Sequence, residues 1–170
     1  LLSFLLCLAL TPLVGKIALR YGIVDAPTER KVHGRPIPRV GGVAIFLSFV
    51  LPFTAAFFVS TDLLREIHQN PAILWLAVGG LIVFLLGLWD DVHSVPAVVK
   101  LAVQIVAASV AYAGGIEISA FVLPGNYVIS FPFLPYIITV FWFVLVVNAI
   151  NLIDGLDGLA AGVVVFASLV

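Results

Sequence analysis

Four carboxylates stand where a membrane-length apolar run comes to an end. Asp90 and Asp91 end one such run. Asp154 and Asp157 follow another, inside the segment Asn148-Ala149-Ile150-Asn151-Leu152-Ile153-Asp154-Gly155-Leu156-Asp157-Gly158. Two adjacent carboxylates repel each other unless a cation sits beside them. The C-terminal end of a helix, where the dipole is already negative, makes their position worse. A divalent cation relieves both problems, and Mg²⁺ in particular takes one or two carboxylates together with water and substrate phosphate. His93 lies three residues past Asp90 and reads as an interfacial side chain rather than a ligand.

In the second segment Asn148, Asn151, Asp154 and Asp157 recur at intervals of three, which keeps them near one face of a continuing helix. Unpaired amides at the inner end of a span are costly. Gly155 and Gly158 bracket the last carboxylate and permit a tight turn and a close approach of backbone N–H groups to a phosphate. Asn and Gly also occur at membrane helix contacts, but two Asn, two Asp and two Gly within eleven positions favour a polar site. A third cluster runs from Asp25 to Gly42. It places Arg30, Lys31, His33, Arg35 and Arg39 ahead of Gly41-Gly42. A cationic loop beside a helix N-terminus is an anion site, although loop topology alone also accounts for its charge. Together the three clusters carry carboxylates for a metal, amides and glycines for polar contacts, and cations for phosphate. That is the equipment of phosphoryl transfer, which depends on positioning and charge neutralisation.

The elements that must hold these residues are membrane spans. The 170 residues are 63% hydrophobic and only 10% charged, with a mean hydropathy of +1.25, a composition that excludes a soluble domain. Apolar runs cover about 1–19, 41–60, 72–89, 95–114, 133–150 and 158–170, against the ~20 residues that one crossing needs. The expected fold is an all-α polytopic membrane protein. It has five complete transmembrane helices and the start of a sixth, in one membrane domain over 1–170, read as a truncated part of a longer protein. The single Cys7 allows no internal disulfide. Alternating the spans puts Lys16, Arg20, Arg30, Lys31, Arg35, Arg39 and Lys100 on or beside one set of loops and only Arg65 on the other. By the positive-inside rule the first set is cytoplasmic, and all three polar clusters fall on that face. On the outer side, residues 61–71 read as a loop. Residues 115–132 read as a short β-hairpin turning at Pro124-Gly125-Asn126.

The motifs Asp25-x-Pro-x-x-Arg30-Lys31-x-His33-x-x-Pro36-x-Pro38-Arg39-x-Gly41-Gly42, Gly87-Leu-Trp-Asp90-Asp91 and Asn148-x-x-Asn151-x-x-Asp154-Gly155-x-Asp157-Gly158-Leu159-Ala160-x-Gly162 resemble the polyprenyl-phosphate N-acetylhexosamine-1-phosphate transferases, in the branch that transfers GlcNAc-1-phosphate. The resemblance implies a Mg²⁺-dependent enzyme (Mn²⁺ being the alternative ion). Such an enzyme works at the cytoplasmic face of the inner membrane and makes the first lipid-linked intermediate of a cell-envelope polysaccharide, such as lipopolysaccharide or teichoic acid. It also implies the partners: a UDP-N-acetylhexosamine, a polyprenyl phosphate such as undecaprenyl phosphate, and the bilayer. No nucleic-acid partner is expected, and a homodimer is compatible with the pattern. Asp90, Asp91, Asp154 and Asp157 become the catalytic set, with Asp91 and Asp154 at the metal. Lys31, His33, Arg39, Asn148, Asn151 and Gly155 become substrate contacts. The family's later loops, which hold a further acidic ligand and a basic, His-containing segment, lie past residue 170, so a fragment of this length is expected to be inactive by itself.

Two other functions compete. A transporter or channel would carry ionisable residues near the bilayer midplane, whereas these aspartates sit at span ends. An aspartate-rich prenyltransferase would want Asp-Asp-x-x-Asp, and position 94 is Ser.

Overall fold

The computed structural model describes residues 1–25, 37–59, 61–119, 121–123, 127–129, 132–154 and 158–169. Among these described residues, seven helices and two small β-pairings follow in the order α1 (Leu2–Tyr21), β1 (Val24–Asp25), β2 (Ile37–Pro38), α2 (Gly41–Val59), α3 (Thr61–Gln69), α4 (Ala72–His93), α5 (Ala97–Ala113), β3 (Phe121–Leu123), β4 (Tyr127–Ile129), α6 (Leu134–Ile153) and α7 (Leu159–Leu169). Four of them, α1, α2, α4 and α6, are long and apolar enough to cross a membrane. The chain is a multi-pass membrane protein.

Its interior shows which solvent it was built for. Among the described residues the buried apolar side chains are mostly alanines, including Ala18, Ala44, Ala107, Ala108 and Ala111. Phe49, Trp75, Phe141 and Trp142, by contrast, face outward. In lipid, large apolar side chains gain nothing by leaving the surface, and helices associate where small residues let their backbones approach. The α4–α5 seam works this way. A Cβ on Gly79 would sit 2.9 Å from the Ala107 carbonyl oxygen, and one on Gly114 would overlap Trp75. Gly79→Leu is therefore expected to force α4 off α5 and destabilise the protein by about 1–3 kcal/mol. Gly80→Leu, at a position where a Cβ meets nothing within 4 Å, should leave stability unchanged. Thermal unfolding of both variants in detergent reads the difference.

Contacts at successive depths give the helix directions. Asp90 on α4 meets Lys100 on α5, Gly79 meets Ala107, and Trp75 meets Gly114, so these two helices are antiparallel. Gln104 meets Asn148 and Ser109 meets Tyr136, so α5 and α6 are antiparallel as well. Phe46 of α2 stacks on Phe84 of α4 with centroids 3.8 Å apart. The start of α2, the end of α4, the start of α5 and the end of α6 therefore share one end of the bundle.

Three expectations need adjustment. Residues 61–71, read as a loop, contain the helix α3, with Ile67 buried and Arg65 and Glu66 outside. The apolar residues are too few to stand out by hydropathy, but their helical spacing gives α3 one apolar side. The run 95–114 forms a helix of only 17 residues, since Pro96 delays its start and Gly114 ends it. That is about 25 Å at 1.5 Å per residue, short of a ~30 Å hydrocarbon core. The run 158–170 forms the 11-residue α7. Backbone pairing of Phe121 with Ile129 and Leu123 with Tyr127 joins β3 to β4, and the turn residues 124–126 lie outside the described residues.

Candidate active site

A polar cavity of about 260 Å³ lies at the shared end of the bundle, lined by Arg39, Asp90, Asp91, Ser94, Val95 and Lys100. Three local devices build it. The first delivers Arg39. Helix α1 ends on Gly22, whose φ of 70° is left-handed, and the Ile23 N–H donates back to the Ala18 carbonyl at 2.9 Å. Such a cap suits glycine because a Cβ clashes there. The chain then enters β1, which pairs antiparallel with β2 in the register Val24–Pro38 and Asp25–Ile37. This clip returns the chain to the end of α1, where the Arg39 N–H donates to the Ile23 carbonyl at 3.3 Å. Helix α2 starts two residues later.

The second device is the α4–α5 turn. Ser94 takes a left-handed φ of 50° and donates its N–H to the Asp90 carbonyl at 3.0 Å. Pro96 then opens α5, so only three residues separate the helices. The third device is the charge pair that this turn creates. The Lys100 Nζ donates to Asp90 Oδ2 at 2.6 Å, and the Val95 N–H donates to Asp90 Oδ1 at 2.7 Å. Each charge is badly placed on its own helix: Asp90 at a negative C-terminal end, Lys100 in a positive first turn. Their pairing offsets both penalties, and a charge-assisted bond of this length is of the stronger kind.

Asp91 is in a different situation. It is half-buried, and Arg39, Lys100 and Asp90 all act on it electrostatically, yet none of the described residues hydrogen-bonds to its carboxylate. The cavity thus combines two carboxylates with two cations. Arg39 and Lys100 can hold anionic oxygen, and Asp91 retains its acceptor capacity for a cation. No group of three His, Cys, Asp or Glu side chains poised as metal ligands occurs among the described residues. That does not argue against Mg²⁺, which is commonly satisfied with one or two carboxylates.

Of the residues singled out by sequence, Arg39, Asp90 and Asp91 meet in this cavity. Asn151 and Asp154 are exposed at the end of α6, where the Asp154 N–H still donates to the Ile150 carbonyl at 3.1 Å. They do not line the cavity, though they lie at the same end of the bundle. Asn148 has a protein partner instead: its Nδ2 donates to Gln104 Oε1 at 2.6 Å and to the Val144 carbonyl at 2.8 Å. Three residues advance a helix by 300°, so each step of this series rotates backward by about 60°. Asn148 can therefore face α5 while Asp154 turns away from it. Gly158, directly before α7, has a left-handed φ of 78°. Lys31, His33, Gly155 and Asp157 lie outside the described residues. His93 stacks on Trp89 with centroids 4.3 Å apart.

Two polar residues of this region did not stand out by motif. Lys100 had counted only toward topology, although a cation in the first turn of an apolar helix opposes the dipole and signals a nearby anion. Gln104, an amide within an apolar run, signals a polar partner on a neighbouring helix.

Comparison with known proteins identifies the family. The family described as Glycosyl transferase family 4 matches residues 73–170. The chain is 38% identical over 161 residues to a probable undecaprenyl-phosphate N-acetylglucosaminyl 1-phosphate transferase of Bacillus subtilis, covering 94% of the chain and 42% of that relative. It is 38% identical over 164 residues to the undecaprenyl-phosphate alpha-N-acetylglucosaminyl 1-phosphate transferase of Thermotoga maritima, covering 94% and 46%. Against a decaprenyl-phosphate N-acetylglucosaminephosphotransferase of Mycobacterium leprae the identity is 38% over 159 residues, covering 89% and 39%. The chain thus spans less than half the length of these relatives. No solved structure gives a significant match. The family match takes in more than half of the 170 residues, including Asp90, Asp91, Lys100 and the whole Asn148–Gly158 segment, and the chain belongs to glycosyl transferase family 4.

Proposed function

We propose that the protein containing this chain transfers an N-acetylhexosamine 1-phosphate, GlcNAc-1-phosphate in the first instance, from a UDP-sugar to a polyprenyl phosphate. The observation that carries the reading is the cavity at the end of α4, where Arg39, Asp90, Asp91 and Lys100 converge from three separate elements. The names of the relatives supply the acceptor and the sugar. In the reaction an acceptor phosphate oxygen attacks the β-phosphorus of the donor. The bond from that phosphorus to the bridging oxygen breaks, and UMP leaves with the electron pair. A lipid-diphosphate sugar remains.

The acceptor phosphate, with a second pKa of about 6, is already largely ionised at neutral pH. The site therefore needs to position it more than deprotonate it. Asp90, held from two sides, orients Lys100 toward the acceptor phosphate. Arg39 lines the same cavity, and Lys31 and His33, from the segment between β1 and β2, would contact phosphate. Asn151, Asp154, Gly155 and Asp157 hold the nucleotide end of the donor. The carboxylates of Asp91 and Asp154 suit Mg²⁺, with Mn²⁺ as an alternative; the ion supplies charge neutralisation at the diphosphate.

We read the site as cytoplasmic, because seven of the eight basic residues fall on that side when spans alternate. In this reading α5 is a fifth, short crossing, and β3–β4 lies on the outer face. A transport function is disfavoured by the position of the charged residues at helix ends. Membranes carrying the full-length protein should release UMP from UDP-GlcNAc only when polyprenyl phosphate and Mg²⁺ are both present, and EDTA should abolish the release. Absence of UMP release across a panel of UDP-N-acetylhexosamines would sink the assignment.

A further inference from the structure

The middle helix of the α4–α5–α6 group, α5, makes two polar attachments on successive turns. Lys100 reaches sideways to Asp90 of α4. Gln104, four residues on, reaches to Asn148 of α6. Residues four apart lie on neighbouring turns of the same side of a helix, about 6 Å along its axis. Everything else on this stretch of α5 is apolar or small. Gln104 is buried, and it borders an apolar cavity of about 300 Å³ shared with Gly79, Ala107, Val144 and Val147. A buried amide bordering an apolar cavity is costly unless it is hydrogen-bonded, and the Asn148 side chain supplies the bond.

This attachment is placed where it controls register. Toward the opposite end of the bundle the α5–α6 seam is held by Ser109 with Tyr136 at 3.0 Å and by the Ile118 N–H on Thr139 Oγ1 at 2.9 Å, so among the described residues the Gln104–Asn148 bond is the polar fixing of this seam nearest the shared end. Asn148 is fixed twice, to Val144 on its own helix and to Gln104 across the seam. Asn151 and Asp154 follow on the same helix, Asp154 about 9 Å farther toward the shared end. A slip of α6 along α5 would move both residues relative to Asp90, which is anchored to α5 through Lys100, and to its neighbour Asp91.

We infer that Gln104 is a positioning residue for the transfer reaction: through Asn148 it sets the depth of the inner end of α6, and so aligns Asn151 and Asp154 with the Asp90–Asp91 pair. On this account Asn148 is a strut between helices and not a substrate contact. The inference rests on the transferase reading above, and the experiment separates the two.

The full-length protein is purified in detergent, folded protein is quantified by size-exclusion chromatography, and UMP release is measured per folded molecule at varied UDP-GlcNAc. If the unaltered protein releases no UMP, the transferase reading fails first. Given an active parent, Gln104→Leu and Asn148→Leu should each lower kcat about tenfold, as expected when misalignment arises away from the reacting atoms. The donor KM should change less than kcat. The double variant should be no slower than either single one, because the two side chains make one bond. The reciprocal exchange Gln104→Asn with Asn148→Gln, which keeps the bridge length, should recover most of the lost turnover. A Gln104→Leu enzyme within twofold of the parent overturns the inference. So do losses that multiply in the double variant, or an exchange variant that folds and stays as slow as Asn148→Leu. If Gln104→Leu does not fold, the exchange variant decides the matter alone.

Discussion

Asp91→Asn in the full-length protein is expected to lower turnover by about 10²–10³-fold, the usual effect of removing one preorganised group that meets developing charge. The fold should survive the change. None of the described residues hydrogen-bonds to the Asp91 carboxylate, and Asn has nearly the same shape. The melting temperature should accordingly stay close to that of the parent, while the Mg²⁺ concentration needed for half-maximal rate rises. Asp90→Asn should behave differently. Its carboxylate is engaged by Lys100 and by the Val95 amide, so neutralising it weakens the α4–α5 turn as well as the reaction. UMP release and thermal unfolding, measured side by side on the two variants, test the contrast. An Asp91→Asn enzyme with near-parental turnover would remove that residue from the site.

The second large effect is expected at Lys100. Its removal in Lys100→Met leaves Asp90 at the negative end of α4 without its hydrogen-bonded cation, with the weaker attraction of Arg39 remaining. The two side chains retain 33% and 30% of their accessible surface, so solvent softens the penalty that a fully buried pair would show. A loss of about 1–3 kcal/mol is the appropriate scale for a charge-assisted bond of this kind. Combining it with Asp90→Asn should restore much of the stability, because neither charge is then left alone. Turnover should not recover in the double variant, since the cavity loses half of its cations. Rescue of both properties would mean that the pair is structural only. Failure to rescue stability would mean that the bridge does not hold the turn.

Comparison of particular elements shows why some features were legible early. The apolar runs that became α1, α2, α4 and α6 are long enough to dominate any window, and lipid imposes that length directly. The carboxylates stand out because nothing in a hydrocarbon phase accommodates them at low cost. By contrast α3 has few apolar residues, and its helicity depends on spacing within two turns. Asn148 belonged to a polar series by interval alone, yet a helix rotates, and only a neighbouring backbone decides which member of the series meets it. Lys100 looked like one more basic residue near a loop until the three-residue turn after His93 folded it onto Asp90.

The linear chain, then, dictated a multi-pass helical membrane protein and singled out the acidic and amide segments as candidates, because burial of polar groups in lipid is costly wherever it occurs. The three-dimensional arrangement decided their partners. Arg39, Asp90, Asp91 and Lys100 share one cavity, and Gln104 takes Asn148, because the antiparallel packing of α4, α5 and α6 along seams of small residues fixes which helix ends meet and at what depth.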